Sequence, residues 1–110
     1  MKNFRVYQDS LALAKQVAPV IAAIKRQDSN LADQLRRALT SVPLNLAEGA
    51  GQAGGHRKQR YLTAWGSLRE VEACIRVAEA MGYLRPDAEM TRSLDKAMVG
   101  MLRLCQYHGC

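Results

Sequence analysis

The sequence predicts an all-α protein, an antiparallel up-down four-helix bundle, from three observations. Apolar residues recur at spacings of three and four in four separate stretches, which is the helical period. No apolar/polar alternation persists long enough to mark a strand. The apolar content is carried by Leu, Ala, Val and Met rather than by aromatics, which make up only 5% of the chain, and those residues are good or tolerable helix formers. At 110 residues the chain can bury one modest core, so a single domain over 1–110 is expected. Short connections make successive helices antiparallel neighbours.

The first helix is expected over about 7–25, where Leu11, Ala14, Ala18, Ile21 and Ile24 form one stripe. Pro19 falls inside it and removes one hydrogen bond, which predicts a local bend. "RQDSNL" at 26–31 is a polar turn in which Ser29 or Asn30 is placed to cap the second helix. That helix is expected over about 31–48, with Leu35, Ala38, Leu39, Val42 and Leu46 on one side. "EGAGQAGG" then places four glycines in eight residues, a density that favours a loop, over about 49–55. The third helix, over about 56–81, carries Tyr61, Ala64, Trp65, Leu68, Val71, Ile75 and Ala78. "MGYLRPD" ends it, with Gly82 as the C-terminal cap and Pro86 in the first turn of the fourth helix, whose dipole Asp87 and Glu89 complement. That last helix, over about 86–105, packs through Met90, Leu94, Ala97, Met98, Met101 and Leu102. No repeat of solenoid period and no low-complexity tract interrupts the pattern.

Charge points toward an anionic partner. The net charge is +6, from sixteen Lys and Arg against ten Asp and Glu. Most of the basic residues are arginines, whose planar fork suits phosphate oxygens. The densest basic neighbourhood is Arg36, Arg37, Arg57, Lys58 and Arg60, with Glu48 the single acid between 36 and 60. About 12 helical residues span roughly 18 Å, so the 36–37 pair and the 57–60 group are expected to form a stripe rather than one patch. "HRKQR" at a helix start, with free N–H groups close by, is suited to phosphates.

Three cysteines, at 74, 105 and 110, include no C-x-x-C pair and cannot all pair, which argues against a disulfide framework and for a reducing cytoplasm. Cys74 and Cys105 fall on core positions, where a thiol acts as a small hydrophobe. The opening "MKNFRVYQDS" lacks a signal-peptide apolar run, and no stretch is apolar for long enough to span a bilayer. His56 and His108 stand in no zinc-type spacing, Glu70 and Glu72 lie two apart and cannot face one another, and no nucleotide-binding glycine motif is present. No metal, cofactor or catalytic constellation is expected, and the chain does not read as an enzyme. His108 is expected to have no role.

Ser41, Asn45 and Glu48, at spacings of four and three, project from one face of the second helix. Asn45 and Glu48 are expected to be buried, with Glu48 paired to Arg36, Arg37, Arg69 or Arg76, because an unpaired buried carboxylate is costly. Pro43, in their midst, is expected to kink the helix and to leave the Leu39 carbonyl to the Thr40 or Ser41 hydroxyls. Ser41, Pro43, Asn45, Glu48 and Gly49 thus read as a structural polar motif that ends the second helix and sets its angle to the third. Gly66, beside Ser67 in mid-helix, costs about 1 kcal/mol against alanine. It is expected to admit a closely packed neighbouring helix, from this chain or another, on a small-residue stripe with Ala73 and Ala80.

"QLRRALTSVPLNLAEGAGQ" followed by "RYLTAWGSLREVEACIRVAEAMGYL" resembles the small four-helix-bundle proteins encoded within intervening sequences of bacterial 23S ribosomal RNA genes, to which the accessory proteins of diversity-generating retroelements are related. The resemblance covers about residues 7–101. It is most specific in the R-R-A, S-V-P-x-N-x-A-E-G and G-S-L-x-E segments. Matching positions are Arg36, Arg37, Ser41, Pro43, Asn45, Glu48, Gly49, Gly66, Ser67 and Glu70, whereas Gln52 stands where a basic residue is expected in many relatives. The resemblance implies a homopentamer with a basic surface proposed to bind nucleic acid and, in the retroelement branch, a reverse-transcriptase partner. Two functions are therefore expected to compete: a non-enzymatic, oligomeric nucleic-acid-binding bundle, and a scaffold or accessory module that binds another protein.

Overall fold

The computed structural model describes residues 4–110, so residues 1–3 of the expected domain lie outside the described residues. Four α-helices follow one another: α1 (Arg5–Gln27), α2 (Ser29–Ala50), α3 (Gly54–Ala80) and α4 (Ala88–His108). Each packs on its neighbours in sequence and α1 closes on α4, the arrangement of an up-down four-helix bundle. The molecule measures 42 × 24 × 21 Å; its long axis matches the ~40 Å of a 27-residue helix at 1.5 Å per residue. The α2–α3 seam is the most extensive of the four.

The core stripes of α2, α3 and α4 lie where the periodicity places them. Leu35, Ala38, Leu39, Val42 and Leu46 of α2 are buried, as are Leu68, Val71, Ile75 and Ala78 of α3 and Leu94, Ala97 and Met101 of α4. Trp65 and Met98 are half-buried against the core, while Leu102 is exposed. The α1 stripe is rotated from expectation. Leu13, Val17 and Ile24 are buried, and Leu11 and Ala18 face solvent. Apolar residues wrap most of this helix, so two stripes satisfy the period, and the bundle buries the one with the bulkier side chains. Ser10 shares the buried face and satisfies its hydroxyl on the Tyr7 carbonyl at 2.6 Å.

Both helix-internal prolines, Pro19 and Pro43, lie within unbroken helices. Caps account for the boundary differences. α2 is capped by Asp28, whose Oδ1 accepts the Leu31 N–H at 2.9 Å, rather than by Ser29 or Asn30. α4 is capped by Asp87, which accepts the Met90 N–H at 2.9 Å, so Pro86 precedes the cap instead of occupying the first turn. Gly82 does end α3 as expected: it turns left-handed at φ 78°, and the N–H groups of Gly82 and Tyr83 return to the carbonyls of Glu79 and Ala78, satisfying the last-turn carbonyls. The glycine-rich connection is shorter than the expected 49–55 loop. Only residues 51–53 separate α2 from α3.

Candidate nucleic-acid interface

A polar ladder runs along the α2–α3 seam. At its centre the hydroxyls of Ser41 and Ser67 share a hydrogen bond of 2.7 Å. One turn on, Asn45 Nδ2 donates to the Ser41 carbonyl at 2.9 Å and to its hydroxyl at 3.0 Å. Arg60 Nη1 then bridges, donating to Asn45 Oδ1 at 3.4 Å and pairing with Glu48 Oε2 at 2.9 Å. Arg57 Nε closes the ladder on the Gly49 carbonyl at 3.2 Å, near the last turn of α2, where carbonyls lack helical partners. The spacings 41, 45, 48 on one helix and 67, 60, 57 on the other are those of two antiparallel helices in register. A Cβ on Gly49 would stand 2.5 Å from Tyr61 Cε1 and 3.1 Å from Arg60 Cβ. This glycine is therefore where the two helices come closest to excluding a side chain.

The polar motif of Ser41, Asn45, Glu48 and Gly49 thus joins α2 to α3, with Pro43 half-buried beside it. Two of its details differ from expectation. Neither Asn45 nor Glu48 is buried: Asn45 is half-buried and the Glu48 side chain is 56% exposed, because position 48 sits at the outer edge of the seam. Its partner is Arg60, and all four expected partners are engaged elsewhere. Arg36 and Arg37 share Asp33 at 2.8 and 3.5 Å, Arg69 lies over the Trp65 ring at 5.8 Å, and Arg76 pairs with Glu79 at 3.3 Å. Nor do the Thr40 and Ser41 hydroxyls serve the Leu39 carbonyl. Thr40 donates back to the carbonyls of Arg36 and Arg37, and Ser41 turns to Ser67.

At Gly66 no helix of this chain makes the expected close contact. A Cβ there would meet nothing within 4 Å, and Gly66, Ala73 and Ala80 all lie on the solvent face of α3. Ser67, one residue on, is the true contact, through Ser41. On the exposed face beside these small residues stand Leu62, Val77 and Met81, interspersed with Arg69, Glu70 and Arg76. The sequence carries the signal for this second face, since Gly66, Ala73 and Ala80 recur every seven residues.

The basic residues divide into two groups. Arg36 and Arg37 lie in the third turn of α2, about 18 Å along the helix from Glu48 by its rise per residue. Their guanidiniums hold the Asp33 carboxyl below its ordinary range, chiefly through the Arg36 hydrogen bond and then through the Arg37 charge. Asp33 escapes a window that begins at residue 36, although spacings of three and four make it the natural neighbour of both arginines.

The second group is larger than the sequence alone indicates. Phe4 and His108 both pack against Tyr61, with ring centroids at 6.1 and 5.0 Å. The start of α1 and the end of α4 therefore meet the start of α3, and His108 has a packing role. Arg5 and Arg103 line one groove on this end, together with Asp9, Asp95 and Lys96. Residues 5–9, 44–50, 54–64 and 95–108 together hold six basic side chains, Arg5, Arg57, Lys58, Arg60, Lys96 and Arg103, against three acids, Asp9, Glu48 and Asp95, of which Asp9 pairs with Lys96 at 3.7 Å and Glu48 with Arg60. Arg5, Lys58 and Arg103 are exposed and make no side-chain hydrogen bond or ion pair among the described residues. Arg57 commits only its Nε, and its two terminal nitrogens have no partner there. The Tyr61 hydroxyl beneath is pushed above its ordinary pKa by burial, with the Arg57 charge opposing, so it stays neutral.

The model of the family described as 23S rRNA-intervening sequence protein matches residues 2–104. The chain belongs to that family. No curated protein matches it. For this member of the 23S rRNA-intervening sequence proteins, the family assignment covers all four helices apart from the last turn of α4. It includes the whole ladder and every basic residue of the clustered end. Among the described residues no helix is long and apolar enough to cross a membrane.

Proposed function

We propose that this protein is a non-enzymatic, oligomeric bundle that binds the phosphate backbone of nucleic acid through the end where α3 begins. The observation that carries this reading is the gathering there of Arg5, Arg57, Lys58, Arg60 and Arg103 from three helices, with Arg5, Lys58 and Arg103 exposed and without a partner among the described residues. Backbone contacts of this kind position a nucleic acid without reading its sequence. The ladder serves the interface by fixing Arg57 and Arg60 on a rigid seam while their unengaged nitrogens face outward. Arg36 and Arg37, set apart and already sharing Asp33, form a secondary contact along the same molecule. Binding to a structured RNA and to duplex DNA is expected at about 50 mM salt with little base preference, and is expected to weaken steeply as salt rises. Fluorescence anisotropy across a salt series checks it; no binding at low salt overturns the reading.

A second reading, a module that binds protein, rests on the outer face of α3, where Leu62, Val77 and Met81 are exposed beside Gly66, Ala73 and Ala80. Self-association through such a face is part of the proposal, and five copies is the number that the family resemblance implies. A chain that scatters light as a monomer would count against association, and a partner protein such as a reverse transcriptase would then be the alternative occupant.

A further inference from the structure

The last turn of α4 holds a juxtaposition that the ladder does not use. Gly109 turns left-handed at φ 75°, its N–H reaches the Gln106 carbonyl at 3.2 Å, and the Cys110 N–H reaches the Cys105 carbonyl at 2.8 Å. This paired pattern folds the residue after the glycine back over the residue five positions earlier, so that their side chains touch, usually as an apolar pair. Here both are cysteines. The Cys110 thiol donates to the Cys105 carbonyl at 3.4 Å, which seats its sulfur on the residue that bears the second thiol. Cys105 is buried, its thiol directed at the Tyr61 carbonyl at 3.6 Å, while Cys110 is only half-buried. The third thiol, Cys74, lies on α3 about 20 Å beyond Tyr61 by the helical rise.

We propose that Cys105 and Cys110 form an oxidation site that closes into an intrachain disulfide in the presence of a low-molecular-weight disulfide such as oxidised glutathione. Access decides which sulfur reacts first. The Cys110 thiolate attacks one sulfur of glutathione disulfide, forming a mixed disulfide and expelling one glutathione thiolate. Cys105 then gives its proton to solvent, and its sulfur attacks the Cys110 sulfur, breaking the mixed disulfide and expelling the second glutathione. Two protein thiols are oxidised by two electrons, and one glutathione disulfide is reduced to two thiols. Burial, reinforced by the Cys110 hydrogen bond, pushes the Cys105 thiol up to about 12, so ring closure is the slower step. Closure ties off the last turn and holds His108 on Tyr61.

The test treats the folded protein with oxidised glutathione, quenches by acid, alkylates under denaturing conditions and maps the peptides by mass spectrometry. A glutathione adduct on Cys110 is expected first, giving way to a protein two hydrogens lighter with Cys105 joined to Cys110 and Cys74 alkylated. Cys110→Ser is expected to leave Cys105 unreacted, and Cys105→Ala to stop at the adduct. The wild-type time course decides by itself even if a variant folds poorly. A wild-type reaction that halts at the Cys110 adduct, or that links Cys110 of two chains instead, overturns the proposal.

Discussion

Tyr61 is enclosed by Phe4, His108 and the backbone of Gly49, and a methyl group at position 49 would have to displace its ring. Overpacking of this kind costs about 1–3 kcal/mol, more than the ~1 kcal/mol that alanine gains over glycine within a helix. Gly49→Ala is therefore expected to lower the urea midpoint. Glu48→Gln, one residue away, removes an exposed ion pair worth about 0–1 kcal/mol, and denaturation should barely register it; a loss of several kcal/mol would contradict its place at the seam's edge. At Asp33 the folded-state pKa lies below the unfolded one. Its contribution is present above the unfolded pKa and is lost as pH falls through the folded one. Asp33→Asn should remove that small acid-side loss from a pH series of thermal melts. The spacing of Ser41, Asn45 and Glu48 made their shared face legible, but spacing says nothing of depth, so the exposure of Glu48 and its pairing across to α3 required the folded register.

Among the elements, α3 is the one whose outer face, with its small and exposed apolar residues, invites a test. Gly66 has helical backbone and no neighbour within its own chain, so Gly66→Ala should raise the thermal midpoint of the dissociated chain, in line with the ~0.5–1 kcal/mol gained on replacing a mid-helix glycine. A drop confined to the associated protein would place the proposed self-association directly on Gly66. Element type and order were readable because each helix carries a long periodic stripe between strong stop signals. Boundaries were not, since the caps at Asp28 and Asp87 each had rivals one or two residues away. The stripe of α1 was ambiguous for a different reason: a helix apolar nearly all round offers the core more than one face, and only its neighbours choose.

For the whole molecule, the bundle topology turns a diffuse +6 into a basic end. The sequence marked Arg57, Lys58 and Arg60 by proximity, but nothing in it added Arg5 and Arg103, which are far away along the chain and reach the same end only through antiparallel packing. The same packing keeps Arg36 and Arg37 apart from them. This division also chooses the residues for a clean test, because reversing Arg57 or Arg60 would break the ladder and confuse stability with binding. Arg5, Lys58 and Arg103 have no internal partner among the described residues, so the decisive comparison sets the wild type against Arg5→Glu/Lys58→Glu/Arg103→Glu in salt-dependent binding to a structured RNA. If the basic end holds phosphates, the triple variant keeps its helicity and thermal midpoint but binds more weakly, and its slope of log affinity against log salt is shallower by about 0.7–0.9 for each phosphate it no longer neutralises. An affinity and slope equal to those of the wild type would refute the assignment of this end as the nucleic-acid interface.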